Sequence, residues 1–105
     1  MKLTGAALDA YLRRREQVLS KVRHLLIASL ELQREADEID PDTALFGTGM
    51  GLDSVDAVEV VIGLETEFGI RLTDADERRR ALRSVNALVD VVMAHPDPRA
   101  TEGLA

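Results

Sequence analysis

Asp53 and Ser54 stand side by side where a glycine-broken stretch, Gly47-Thr48-Gly49-Met50-Gly51, gives way to an apolar, acidic run. A hydroxyl at such a loop-to-helix junction is exposed and has a carboxylate neighbour. That suits a serine modified by another enzyme better than one that attacks a substrate itself. A hydrolase nucleophile elbow needs glycine two residues before the serine, and Leu52 holds that place. The only imidazoles are His24 and His95. They read as a helix-surface and a helix-end residue, not as a base for Ser54. The plain reading of Ser54 is a helix cap, the commonest task of serine at such a point.

Other chemistries fit less well. Counted from Asp40, the sixth position of a calcium loop would be Leu45, where glycine is required. Counted from Asp42, positions three and five are Ala44 and Phe46, which lack side-chain oxygens. No Gly-Lys-Ser/Thr follows the glycines, so no phosphate-cradling loop is expected. The chain contains no cysteine, which excludes disulfides and thiolate ligands. No metal site is expected.

The net charge is −6, and it is unevenly spread. Residues 31–77 carry fourteen Asp and Glu against two Arg, whereas residues 1–30 and 78–105 are net basic. An acidic middle repels nucleic acid and steers basic protein partners. The runs Arg13-Arg14-Arg15 and Arg78-Arg79-Arg80 read first as solvated helix faces, with contact to an acidic partner as the alternative. No apolar run approaches membrane-spanning length, and the start of the chain lacks signal-peptide order. The expectation is therefore a cytoplasmic monomer away from membranes.

The elements that must position Ser54 are helical. Aromatics are 3% of the chain and hydrophobic residues 46%, which favours an aliphatic helical bundle. Residues 4–33 read as a helix with Val18, Val22, Leu25 and Leu26 inward. Leu8, Tyr11 and Leu12 either extend that stripe or form a separate arm. Residues 37–53 read as a long loop anchored by Ile39, Leu45, Phe46 and Leu52. Asp53 or Ser54 caps the next helix. Ala57, Val60, Val61, Leu64 and Phe68 form its core face, and Gly69 ends it. On its other face, Val55, Asp56, Glu59, Ile62 and Thr66 mix carboxylates with aliphatics, as a docking surface would. Thr73 with Asp76 predicts a cap for a short helix over residues 74–82. Ser84 caps a last helix with Val85, Leu88, Val89 and Val92 inward.

From about Asp40 to Val92 the chain resembles the acyl carrier protein family. Four separated features carry the likeness, in the family's order and spacing. They are Gly51-Leu52-Asp53-Ser54-Val55, the acidic helix after it, Leu64-Glu65-Thr66-Glu67-Phe68-Gly69-Ile70, and Ser84-Val85-Asn86-Ala87-Leu88-Val89. The resemblance implies an all-α four-helix bundle with a long loop between the first and second helices and a short third helix. It implies a carrier, not an enzyme. Ser54 would be the attachment point for 4′-phosphopantetheine, whose thiol holds an acyl group as a thioester. The implied partners are a phosphopantetheinyl transferase and enzymes of the ketosynthase, acyltransferase or acyl-ligase type. They would dock on Asp53, Val55, Asp56, Glu59 and Ile62. Val55 stands where the family usually has Leu, and both arginine runs and the long N-terminal segment depart from the housekeeping carriers. These departures point to a dedicated carrier in specialised lipid or polyketide-type synthesis. A peptidyl or aryl carrier and an unmodified adaptor are the alternatives.

On this reading residues 1–16 are a partly flexible N-terminal extension of the first helix. Residues 17–95 are the carrier domain, and residues 96–105 are a disordered tail. The aromatic-poor core is expected to admit an acyl chain near Val58, Ile62, Ile70 and Leu72.

Overall fold

The computed structural model describes residues 5–46 and 49–95. Its elements are α1 (Gly5–Leu30), a 3-10 turn (Ala36–Glu38), α2 (Ser54–Phe68), α3 (Ala75–Ala81) and α4 (Val85–Ala94). This is the all-α bundle with a long first loop and a short third helix. The expected disordered tail lies outside the described residues, as do residues 1–4.

Helix α1 is the element on which α2 and α4 both pack, while α3 packs on α4. Its inward residues Val18, Val22, Leu25 and Leu26 recur at helical spacing and are buried. The helix ends at Glu31, whose φ of 52° is left-handed. The Leu32 amide then donates to the Ile27 carbonyl at 3.1 Å, reaching back over the last turn as in a glycine-terminated helix. Leu8, Tyr11 and Leu12 are 43%, 42% and 49% exposed, so they form an arm and do not extend the core stripe. The helix runs unbroken through residues 16 and 17.

The core face of α2 is Val60, Leu64 and Phe68, all buried, with Ala57 and Val61 at its margin. Val55, Val58 and Ile62 are 69%, 57% and 52% exposed. Ile70 and Leu72, just beyond α2, are buried in the core. The four residues expected to admit an acyl chain are thus split between core and surface. Gly69 closes α2 with φ 69°, a conformation that costs a residue with a Cβ.

The long loop departs from expectation in two ways. Ile39 and Leu45 are buried anchors and Leu52 is half-buried, but Phe46 is exposed. A turn at Pro41 and Asp42 leads into Ala44, and residues 41–45 bond to the stretch that opens α4. The Leu45 amide donates to the Arg83 carbonyl at 3.3 Å, the Val85 amide to Thr43 at 3.3 Å, and the Asn86 amide to Pro41 at 2.8 Å. Ala44 and Ser84 form an antiparallel bridge. The chain bends at Leu45 and Phe46, where Leu45 enters the core and Phe46 faces outwards.

Caps are acidic where hydroxyls were also candidates. Asp74, not Thr73, caps α3, its carboxylate accepting from the Glu77 amide at 3.1 Å. Asp74 is the last residue with extended backbone, at φ −89° and ψ 133°, so it is the one whose side chain reaches the third helical N–H. Ser84 caps α4 as expected, accepting from the Ala87 amide at 3.1 Å. Val85, Leu88, Val89 and Val92 all point inward.

Parts of the arginine runs are structural. Arg15 donates to Asp90 at 2.7 Å and to Asn86 at 3.4 Å, tying α1 to α4. Arg78 donates to the Leu72 carbonyl at 2.7 Å. Only part of each run is a solvated face, because a long side chain can lie along the helix surface and reach a distant acceptor.

Candidate functional site

The N-terminus of α2 is held from both sides. The Met50 amide donates to the Ala44 carbonyl at 2.8 Å and the Leu52 amide to the Leu45 carbonyl at 2.9 Å. At Gly49 a Cβ would fall 1.9 Å from the Ala44 carbonyl oxygen, so only glycine lets the loop pass. These bonds lay the segment before α2 against the buried Leu45.

Asp53 is the N-cap of α2. Its carboxylate accepts from the Asp56 amide at 2.9 Å, and the Asp56 carboxylate accepts from the Asp53 amide at 3.1 Å. This reciprocal box satisfies two backbone donors. Asp53→Ala removes the carboxylate that accepts from the Asp56 amide, while the backbone amide of residue 53 remains, and about 1 kcal/mol of stability should go with the lost cap. In a domain of this size that is a fall of roughly 4–8 °C in Tm, measured by thermal circular dichroism.

Ser54 is therefore the first helical residue and not the cap. It is exposed. Its hydroxyl has no hydrogen-bond partner among the described residues. The amides of the first helical turn ahead of Asp56 have no intrahelical acceptor, and the dipole places partial positive charge there. A phosphodiester on the Ser54 oxygen would sit beside those donors, so the residues present fit a covalently attached phosphate. No basic side chain within α2 opposes this arrangement or adds to it. No group of His, Cys, Asp and Glu among the described residues is arranged to hold a metal ion.

Past Ser54 the exposed side of α2 carries Val55, Val58, Glu59 and Ile62, with Asp56 half-buried. Val58 belongs to this surface and was not among the residues expected there. At helical spacing, 55, 58, 59 and 62 share a face, so the signal was legible. His24 and His95 are far from this end in role as well as sequence. His24 Nδ1 bonds the Ser20 carbonyl at 2.7 Å, and His95 Nε2 lies 3.1 Å from Glu77 Oε1.

Comparison with known proteins agrees with this geometry. The phosphopantetheine attachment site family matches residues 21–92. A mitochondrial acyl carrier protein of Neurospora crassa is 32% identical over 84 residues, covering 80% of this chain and 60% of that protein. Acyl carrier protein 2 of Arabidopsis thaliana, also mitochondrial, is 34% identical over 74 residues, 67% of this chain and 57% of the relative. The mitochondrial acyl carrier protein of Saccharomyces cerevisiae is 44% identical over 62 residues, 57% of this chain and 46% of the relative. The chain thus spans about half to three-fifths of the length of these relatives.

The fold and the site define a phosphopantetheine-dependent carrier domain. The chain belongs to the acyl carrier protein family. Members carry acyl groups on covalently attached 4′-phosphopantetheine and are not enzymes themselves. One expectation is corrected here: the relatives reported are named mitochondrial, which overturns the cytoplasmic placement. That placement rested on the lack of a leader or a span. No described helix is long and apolar enough to cross a membrane, but this does not distinguish compartments.

Proposed function

We propose that Ser54 carries the 4′-phosphopantetheine arm and that the exposed side of α2 presents it to partner enzymes. One observation carries the assignment. Asp53 takes the capping role, which leaves Ser54 exposed at the first helical position with a hydroxyl that bonds no described residue. The arm supplies a thiol that holds an acyl group as a thioester. The chain contributes the fixed helix end, the free amides and the docking face. Asp53, Val55, Asp56, Glu59 and Ile62 form that face, and Val58 joins them. The partners are a transferase and acyl-processing enzymes of the ketosynthase, acyltransferase or acyl-ligase type. The names of the relatives favour cargo of the fatty-acid type over the polyketide or peptidyl readings. Residues 17–95 are proposed as the carrier unit, with residues 1–16 as an extension.

Incubation with a broad-specificity transferase, Mg²⁺ and coenzyme A tests this. Intact mass should rise by one phosphopantetheine, and peptide mapping should place it on Ser54. No uptake, or uptake elsewhere, overturns the proposal. The docking face has its own test in Glu59→Lys. Glu59 is exposed, so the change should leave Tm nearly unmoved, within about 0.5 kcal/mol. Reversing one charge on a steering surface should slow modification roughly tenfold at low salt. The defect should shrink as salt screens it.

A further inference from the structure

An open cleft of about 470 Å³ is lined by Phe46, Arg79, Leu82 and Arg83. The reading of Ser54 makes no use of it. Its floor is apolar: Leu82 is 7% exposed, and Phe46 is turned outwards beside it. Its rim is cationic. Arg79 is on α3 and Arg83 just past its end, and the chain's turn after Ala81 brings both to the same cleft. Arg83 has no side-chain partner among the described residues. Arg79 donates from Nη1 to Asp76 at 3.0 Å, an exposed pair that leaves its other donors unused. Among the described residues no carboxylate lines this cleft. The larger groove beside it, about 720 Å³, is lined by Asp42, Glu77 and Asp90 as well as Arg80 and Arg83. That groove would not select an anion. The smaller cleft would.

The cleft lies on the attachment side of the bundle. Leu52 donates its amide to the Leu45 carbonyl at 2.9 Å. Phe46 follows Leu45 directly, and Ser54 is two residues past Leu52. Backbone dimensions then put the Cα atoms of Phe46 and Ser54 no more than about 15 Å apart. A phosphopantetheine arm of roughly a dozen bonds spans a similar distance when extended at comparable rise per bond.

We propose that this cleft receives the far end of a carried chain that terminates in a carboxylate. The inference rests on Ser54 being the attachment site. Methylenes lie on Phe46 and Leu82, and the carboxylate sits between Arg79 and Arg83. Guanidinium groups match carboxylate oxygens in pairs, which an ammonium or a bare apolar pocket does not do. The site is shallow, but tethering supplies a local concentration on the order of millimolar, enough to fill a weak site. A chain ending in methyl offers the arginines nothing to bind, and the shallow floor alone does not hold it in place.

The test loads wild-type protein with two eight-carbon cargoes from their coenzyme A thioesters, octanoyl and 7-carboxyheptanoyl. Intact mass verifies loading. Nitrogen–proton correlation spectra then read the Arg79 and Arg83 Nε–H groups and the Phe46 and Leu82 amides. The carboxylate-ended cargo should move these signals, and high salt should return them. Octanoyl and the unacylated arm should not move them. Arg79→Gln with Arg83→Gln should abolish the response at Phe46 and Leu82 without altering loading. Equal movement with the unacylated arm would assign the cleft to the arm's phosphate and overturn the proposal. Movement at Ile70 and Leu72 instead would put the chain in the core and overturn it too. No movement in a fully loaded protein ends this inference alone, whereas failure to load at Ser54 ends both readings.

Discussion

Ser54→Ala takes up no phosphopantetheine under conditions in which the wild-type chain is fully converted. The expected effect is all or none, because the variant removes the oxygen that would bear the phosphodiester. Folding is not at stake. Ser54 is exposed at the first helical position, its hydroxyl bonds no described residue, and the capping box lies between Asp53 and Asp56. Alanine is also the best helix former, so Tm should move by no more than about 0.5 kcal/mol of stability. The other serines are poor substitutes. Ser20 is inside α1, Ser29 is half-buried on the same helix, and the Ser84 hydroxyl is engaged at the Ala87 amide. Intact mass reads the result directly. Equal modification of both proteins would overturn the assignment, and thermal melts would show whether a lost signal reflected unfolding. Asp53→Ala separates position from chemistry: it weakens the helix start but keeps the hydroxyl, so it should still load, more slowly.

What was legible in the sequence was local and periodic. The last helix is the clearest case. Ser84 starts it, Val85, Leu88, Val89 and Val92 repeat at helical spacing, and all of these signals agree. The choice between Asp53 and Ser54 as cap was not legible, since either side chain can accept from the first turn and only the backbone decides. Phe46 was misplaced because hydrophobicity suggested burial, whereas the chain bends at Leu45 and Phe46 and only Leu45 enters the core. The pairing of residues 41–45 with 83–86 left no local trace, because those bonds use backbone groups that every residue has. The reach of Arg15 to Asp90 is similarly silent in a sequence read one helix at a time. Gly63 was also passed over. In the fold a Cβ there would lie 2.9 Å from Ser29 Oγ and 3.2 Å from Leu25, so this glycine sets how closely α1 and α2 approach. The proposed site could be read from the sequence because it is contiguous, from Gly51 to Ile62. The Arg79–Arg83 cleft was not, because Phe46 comes from a distant loop.

Phe68→Ala should cost on the order of 3–5 kcal/mol, the largest stability loss expected from a single truncation in this core. Phe68 is 1% exposed and is the largest of the fully buried side chains. It sits at the last turn of α2, with Leu25 and Ala28 of α1 lining the same crevice beside it. Removing the ring forfeits its transfer free energy. It also leaves a void that the α1–α2 seam cannot fully close, because that seam is already tight at Gly63. Domains of this size are stable by only about 5–15 kcal/mol. The variant should therefore unfold at much lower temperature or denaturant, by roughly 4–8 °C in Tm for each kcal/mol lost. Its chemistry should survive where the fold does. Fourteen residues of helix separate Phe68 from Ser54, about 21 Å at the α-helical rise. Below its melting transition the variant should accept phosphopantetheine at close to the wild-type rate. Glu59→Lys is the mirror case, with an unmoved melt and slowed loading. Urea melts of both proteins, set beside loading rates measured well below each transition, decide the matter. A neutral Phe68→Ala together with an unfolded Glu59→Lys would mean that α2 turns its other side to the core. The docking face would then have to be redrawn.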